Sequence, residues 1–150
     1  SPISFEELSH LASTGNNLDI SSGVPISVKP ITNFFPETEG SNCFNSALKW
    51  FGLIDELRHS DPEELMSRLE ADFRKLEFNE PKKFGDLMVF RDRSFDIIDH
   101  ASIILNSNFV WHKRTGGKED PWGVYKMDHA FLDYLRQPHC SYDVEYYRKK

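Results

Sequence analysis

One cysteine and two histidines stand in an order along the chain that could support nucleophilic catalysis. Cys43 follows Asn42, a favourable helix N-cap residue, so its thiol is predicted to lie in the first turn of a helix. Unpaired backbone N–H groups and the helix dipole favour negative charge there, and we therefore expect the thiol to be biased toward thiolate. His100 and His112 follow on a predicted hairpin. A cysteine nucleophile, a histidine base and a third group that orients the base would suit acyl transfer.

Each of these residues also has a simpler interpretation. Free cysteine is among the most buried residue types, so Cys43 could equally be a small apolar side chain at a helix start. His100 alone is typical of a satisfied histidine in a core strand, and His112 between Trp111 and Lys113 would attract no attention by itself. The joint order of the three residues favours catalysis over packing.

The length of the hairpin loop decides whether the two histidines can meet. A three-residue loop at 106–108, with Asn108 in the left-handed conformation, pairs Ser102 with His112. His100 then lies on the same face of the hairpin, one diagonal step away. A two-residue loop would place the histidines on opposite faces. We predict the three-residue loop.

The other predicted elements position this helix and this hairpin. The helix that begins near Cys43 should stop at Gly52, and Asp61-Pro62 begins an amphipathic helix to about Leu76. The further predicted elements are a short helix from Ser4 to about Ser13, strands at 86–91, 100–105, 109–112, 124–126 and 142–147, the last of these an edge strand, and a helix capped by Asp128 and ending near Leu135.

Helices followed by strands predict an α+β domain with a mostly antiparallel sheet. The 150 residues suit one domain with a single core. Residues 1–40 are rich in Asn, Ser, Thr, Gly and Pro, and we expect them to wrap the domain as an extended segment. Phe34-Phe35 should insert near the start of the Cys43 helix. Residues 41–150 would form the catalytic core.

Composition and charge exclude several functions. The chain has 24 acidic against 18 basic residues, so nucleic acid is not expected as a partner. No apolar run has membrane-spanning length. Cys43 and Cys140 could form one disulfide, but their spacing is not that of a zinc ribbon or a redox motif. The sequence begins at Ser1 without an initiator Met, from which we expect a processed or cut N-terminus.

Four motifs occur in an order that resembles a known family. They are Asn42-Cys43, Phe84-Gly85-Asp86-Leu87-Met88-Val89-Phe90, His100-Ala101-Ser102-Ile103-Ile104-Leu105 and Val110-Trp111-His112. The chain from about Ser41 to Leu135 resembles the NlpC-type papain-like cysteine peptidases and amidases, most of which cut peptides of bacterial cell walls. The resemblance implies a papain-like fold in which the nucleophile helix packs on the sheet.

The resemblance also implies roles for individual residues. Cys43 would be the nucleophile, His100 the base and His112 the group that orients the base. The implied substrate is a peptidoglycan stem peptide or a related peptide, no cofactor or metal is expected, and the implied location is secreted or periplasmic. The chain departs from the family in having Asn42 where Asp is common and Phe44-Asn45 where Ser-Gly is common. It also has Phe34-Phe35 in the region where many members place a Tyr.

Four residues are candidates for contacts with substrate. Asn42 and Phe44 flank the nucleophile, and Trp111 and Trp122 could form walls of a cleft, although simple packing also accounts for the tryptophans. Three other functions stay open from the sequence. They are a catalytically inactive binding module on the same fold, a papain-like acyltransferase or thioesterase, and a metal site that combines Cys43, His100 and His112 with His139.

Overall fold

The computed structural model of the protein describes residues 24–32, 34–135 and 141–150. These residues form three helices and six strands. The helices are α1 (Cys43–Trp50), α2 (Pro62–Asp72) and α3 (Met127–Leu135), and the strands are β1 (Phe73–Lys75), β2 (Leu87–Asp92), β3 (Ile97–Ile104), β4 (Phe109–His112), β5 (Gly123–Lys126) and β6 (Tyr142–Lys149). The predicted helix from Ser4 to Ser13 lies outside the described residues.

Helix α1 begins and ends where local signals predict. The side chain of Asn42 accepts a hydrogen bond from the backbone N–H of Asn45, which makes Asn42 the N-cap. At the other end Gly52 has a φ of 70°, and the N–H of Leu53 bonds to the carbonyl of Leu48. This is a Schellman ending, which favours glycine because the left-handed conformation carries no Cβ clash there.

Helix α2 starts as predicted but is shorter. Asp61 caps it with a bond to the N–H of Glu64, and Pro62 occupies the first turn. The helix ends at Asp72, so the prediction that it continues to Leu76 is wrong. Residues 73–75 instead form β1, which pairs with the end of β6. Backbone hydrogen bonds to a strand distant in sequence outweigh the helical pattern at this point.

The six strands form one antiparallel sheet in the order β1-β6-β2-β3-β4-β5. With the three helices, the sheet confirms the α+β class. Strand β2 lies inside the sheet and is buried on both faces, as predicted. The prediction that residues 142–147 form an edge strand is wrong, because β6 lies between β1 and β2.

The start of β2 is fixed by a glycine and a buried carboxylate. Gly85 has a φ of 88°, which disfavours other residues, and it turns the chain into the strand. The carboxylate of Asp86 pairs with the guanidinium of Arg148 at 2.8 Å and accepts a bond from the N–H of Lys83. These contacts tie the beginning of β2 to the end of β6.

The sheet separates two apolar clusters. The larger cluster contains α1, the buried face of α2 and alternate residues of the central strands. The smaller cluster, on the other face, joins Met88, Phe90 and Val110 of the strands to Ala130 of α3. Helix α3 begins at Met127, so Asp128 lies in its first turn and is not the cap. Because side chains alternate between the two faces of a strand, successive residues of a central strand face the larger and the smaller cluster in turn.

The described part of the N-terminal region differs from the predicted extended segment. Residues 24–32 form consecutive turns, in which the N–H groups of Val28 and Lys29 bond to the carbonyl of Pro25. Val24 and Val28 are buried in the larger cluster, so these residues belong to the core. Phe34 and Phe35 are largely exposed, so they do not insert into the core; they line an open pocket together with Ser41, which lies just before α1.

Candidate active site

The hairpin of β3 and β4 has the predicted register. Ile103 pairs with Trp111 and Ile104 with Val110, which places Ser102 opposite His112. The loop is closed by Asn106, whose Oδ1 accepts bonds from the N–H groups of Asn108 and Phe109. Asn108 has no positive φ, so its predicted left-handed conformation is wrong. The Asx turn at Asn106 supplies the reversal instead.

This register brings the two histidines into direct contact. Nε2 of His100 lies 2.8 Å from Nδ1 of His112, and the hydroxyl oxygen of Ser102 lies 3.1 Å from the same Nδ1. All three side chains are buried. Since His112 engages Nε2 of His100, the ring nitrogen of His100 that could exchange a proton with another group is Nδ1. For Nδ1 to act as a base, the neutral ring must carry its hydrogen on Nε2, and His112 Nδ1 then accepts that hydrogen.

A β-bulge immediately precedes His100. Phe90 pairs with His100 but Arg91 pairs with Ile98, so Asp99 is an extra residue on β3. Its exposed carboxylate accepts a hydrogen bond from the hydroxyl of Tyr142 at 2.8 Å. Bulges of this kind bend a strand and change the direction of neighbouring side chains.

The thiol of Cys43 lies against the strand that carries His100. The backbone N–H groups of Ala101, Phe44 and Cys43 itself act on its sulfur and lower the pKa of the thiol. Two of these donors belong to the first turn of α1, as expected for a helix mouth, and the third is the residue next to His100. The structure therefore places the thiol beside the backbone of the predicted base.

The predicted bias toward thiolate is nevertheless wrong. The side chain of Cys43 is 7% exposed, and this burial raises the pKa of the thiol to about 12, with a smaller upward contribution from the charge of Asp99. The free-energy cost of removing the thiolate from water exceeds the stabilisation that the backbone N–H groups at the start of α1 give it. Burial also lowers the pKa of His100 well below its usual value, and the charge of His112 lowers it further. At neutral pH the thiol of Cys43, in the larger cluster, and the imidazole of His100, which packs against Phe90 of the smaller cluster, are therefore both neutral.

Asn42 and Phe44 serve the structure of the helix mouth. Nδ2 of Asn42 donates to the carbonyl of Ser60 at 2.7 Å, while its Oδ1 caps α1. Phe44 is buried in the larger cluster. Asn45 lies beneath them, with its Nδ2 bonded to the carbonyl of Glu56. Asn42 and Asn45, two of the residues that depart from the family pattern, thus anchor the loop after α1 to the start of that helix.

The two tryptophans have different positions. Trp111 is fully buried on the opposite face of β4 from His112, with its Nε1 bonded to Thr32, so it has no surface for substrate. Trp122 is also buried, and its Nε1 donates to the hydroxyl of Ser46 in α1 at 3.0 Å. One side of Trp122 borders an open pocket. Of the two predicted walls, Trp122 borders this pocket and Trp111 does not.

Sequence reasoning missed Lys113 as a structural residue of the site. Its side chain is buried, and its ammonium donates to the carbonyls of Thr115 and Gly117 at 2.6 and 2.7 Å. The carbonyl of Gly116 accepts from the N–H of Gly40, just before α1. Lys113 therefore holds the glycine loop against the nucleophile helix. No signal in the sequence distinguishes it from a surface lysine after a strand.

The alternative metal site finds no support among the described residues. They contain no group of three His, Cys, Asp or Glu side chains placed to hold a metal ion. His139, the fourth residue of that alternative, lies outside them. Within the same part of the chain, no helix has the length and apolar character needed to cross a membrane.

Comparisons with protein-family models, with curated proteins and with solved structures gave no match to this chain.

Proposed function

We propose that the protein is a cysteine-dependent hydrolase of amide bonds, with Cys43 as nucleophile, His100 as base and His112 as the group that orients the base. One observation carries the proposal. The thiol of Cys43, in the first turn of α1, lies near the backbone N–H of Ala101, and Nε2 of His100, the residue before Ala101 on β3, lies 2.8 Å from Nδ1 of His112. In this mechanism Cys43, His100 and His112 would act in that order as nucleophile, base and orienter.

The neutral resting pair determines how the thiol is activated. Nδ1 of His100 accepts the thiol proton as the sulfur attacks the carbonyl carbon, so the thiolate does not accumulate beforehand. His100 then gives that proton to the leaving amine, and the acyl group stays on Cys43. In the second half His100 takes a proton from water, the resulting hydroxide releases the acid, and the proton returns to the thiol. Throughout, His112 accepts the hydrogen on Nε2 of His100 and keeps its ring in one orientation.

The papain-like, NlpC-type architecture is part of the same proposal. It is supported by the order of nucleophile helix, Gly85-Asp86 before β2, His100 on β3 and His112 on β4. By the same resemblance we propose a peptide substrate, with a bacterial cell-wall stem peptide as the first to test, and a secreted or periplasmic location. With Asn42 at the cap position, the mouth of α1 lacks the negative charge that Asp supplies in the family pattern.

The test is incubation with cell-wall fragments and with simple peptide amides, read by mass spectrometry. Wild-type protein should release amine and acid, and Cys43→Ala should release neither. Cys140→Ser is the matched control, because it removes the other cysteine of the sequence and should keep full activity. Full activity in Cys43→Ala would refute the mechanism. A thioester in the same panel tests the thioesterase alternative.

The burial of Cys43 favours one alternative function, binding without catalysis. A module on the same fold that binds a partner without catalysis would tolerate a buried thiol of raised pKa. In that case no substrate of the panel would be cleaved, while a fragment would still bind to wild type and Cys43→Ala with the same affinity.

A further inference from the structure

An open pocket lies beside the mouth of α1, and none of its lining residues has a role in the mechanism proposed for Cys43, His100 and His112. Its cavity is about 470 Å³. Most of its wall is apolar and comes from three separate parts of the chain. The apolar residues of this wall, which we call the Phe34–Phe35 pocket, are Ile31, Phe34, Phe35, Pro36, Leu57 and Trp122.

The pocket is attached to the nucleophile helix at two points. Ser41, which lies two positions before Cys43, is part of its lining. Trp122, also part of the lining, donates its indole N–H to Ser46 of α1. The N–H of Gly40, just before the helix, bonds to the carbonyl of Gly116. A group seated in the pocket would therefore contact Ser41, two positions before Cys43, and a tryptophan bonded to the same helix.

The wall exposes more aromatic surface than folding requires. Phe34 and Phe35 are each 62% exposed and Leu57 is 46% exposed. Leaving such side chains in water forgoes the burial that stabilises other aromatics of this chain. Scattered exposed apolar residues are ordinary, but these lie together around one concavity near a candidate active site.

We propose that the Phe34–Phe35 pocket receives a large apolar side chain of the substrate, from a residue that flanks the scissile amide. This inference rests on the proposed function and adds the substrate class. The fit is to phenylalanine or leucine, since the wall presents aromatic rings and aliphatic groups. Glu37 at the edge of the pocket disfavours an acidic side chain there, because like charges repel.

The experiment compares peptide amides that differ at one residue beside the scissile bond. The panel contains Phe, Leu, Ala, Lys and Glu at that residue, on each side of the bond in turn. Burying a phenylalanine side chain corresponds to roughly 10- to 100-fold in kcat/KM. We expect wild type to cleave the Phe or Leu peptide at least about tenfold faster than the Ala peptide, and the Glu peptide slowest.

The variant that tests the pocket is the double substitution Phe34→Ala with Phe35→Ala. Both side chains are largely exposed, so folding should be little affected. The preference for Phe over Ala should fall below about threefold. Phe78→Ala is the matched control, since Phe78 is 99% exposed and follows β1, at the edge of the sheet opposite to β5. The control should keep the wild-type preference.

The outcomes separate this inference from the proposed function. Hydrolysis without side-chain preference, or a preference that survives the double substitution, overturns the pocket assignment and leaves the hydrolase intact. Preference for Lys overturns the apolar assignment and points to Glu37. If no peptide is cleaved, the proposed function fails. In that case calorimetry tests the pocket separately, by measuring the affinity of an N-acetyl-phenylalanine amide for Cys43→Ala with and without the double substitution. Weaker binding to the protein with the double substitution would support the pocket, and equal affinities would overturn it.

Discussion

The protonation state of Cys43 makes the most specific prediction from this structure. Burial raises the pKa of the thiol from the ordinary 9.0 to about 12. A thiol reacts with iodoacetamide only as thiolate, and three pKa units correspond to about 1,000-fold less thiolate at any pH below 9. At pH 8 about one molecule in 10,000 would carry the anion, against about one in ten for an ordinary cysteine. Cys43 should therefore be alkylated about 1,000-fold more slowly than a free cysteine in a short peptide.

The assay uses Cys140→Ser, in which Cys43 is the remaining thiol. Alkylation is followed by mass spectrometry from pH 7 to pH 10, and the same protein in urea is the matched control. The folded rate should rise tenfold for each pH unit without a plateau, whereas the unfolded rate should level off near the ordinary pKa. Asp99→Asn should raise the folded rate by less than about tenfold, because the lost charge is exposed and screened. Asp96→Asn, in the preceding turn, should leave it unchanged.

The opposite result would refute the reasoning. A folded rate that reaches its plateau below pH 8, or that exceeds the rate of the peptide cysteine at pH 7, would show a thiolate beside an imidazolium. The donors of the helix mouth would then outweigh burial, and proton transfer would precede attack on the substrate.

Three further predictions concern stability. His112→Ala leaves Nε2 of His100 buried without its bond and opens a cavity, so the free energy of unfolding in urea should fall by about 2–4 kcal/mol. Because burial lowers the folded pKa of His100 below 6.5, the unfolded chain takes up the proton first, and stability should be lost as pH falls below about 6.5, by up to about 1.4 kcal/mol per unit. Unfolding at pH 7.5 and 5.5 should show a smaller difference in His100→Gln. Asn42→Ala removes the cap of α1 and the bond to Ser60, and it should cost about 1–2 kcal/mol in thermal unfolding.

Each stability prediction has a control. Ser107→Ala, at the exposed tip of the hairpin, should leave urea unfolding unchanged, and an equal loss there would contradict the argument for His112. His129→Gln, exposed on α3, should retain the acid sensitivity of wild type. If it abolished that sensitivity and His100→Gln did not, another histidine would be responsible. Equal thermal stability of Asn42→Ala and wild type would show that the cap is dispensable.

The sequence was sufficient where the deciding contacts are local. Asn42 and Gly52 bound α1 through hydrogen bonds that reach at most five residues along the chain. The contact between His100 and His112 follows from the length of one loop, because a hairpin has a side-chain period of two and a loop length fixes its register. The α+β class follows from the order of such local patterns.

Tertiary structure decided what depends on distant partners. Residues 73–75 became a strand because β6, near the end of the chain, lies beside them. The pKa of Cys43 rose because the folded chain, including β3 at Ala101, buries the thiol, whereas the sequence shows the helix alone. Trp122 shares a pocket with Phe34 and Phe35 although it is far from them in sequence. Solvent exclusion and shape depend on the sum of all neighbours, and neither can be derived from the spacing of residues along one element.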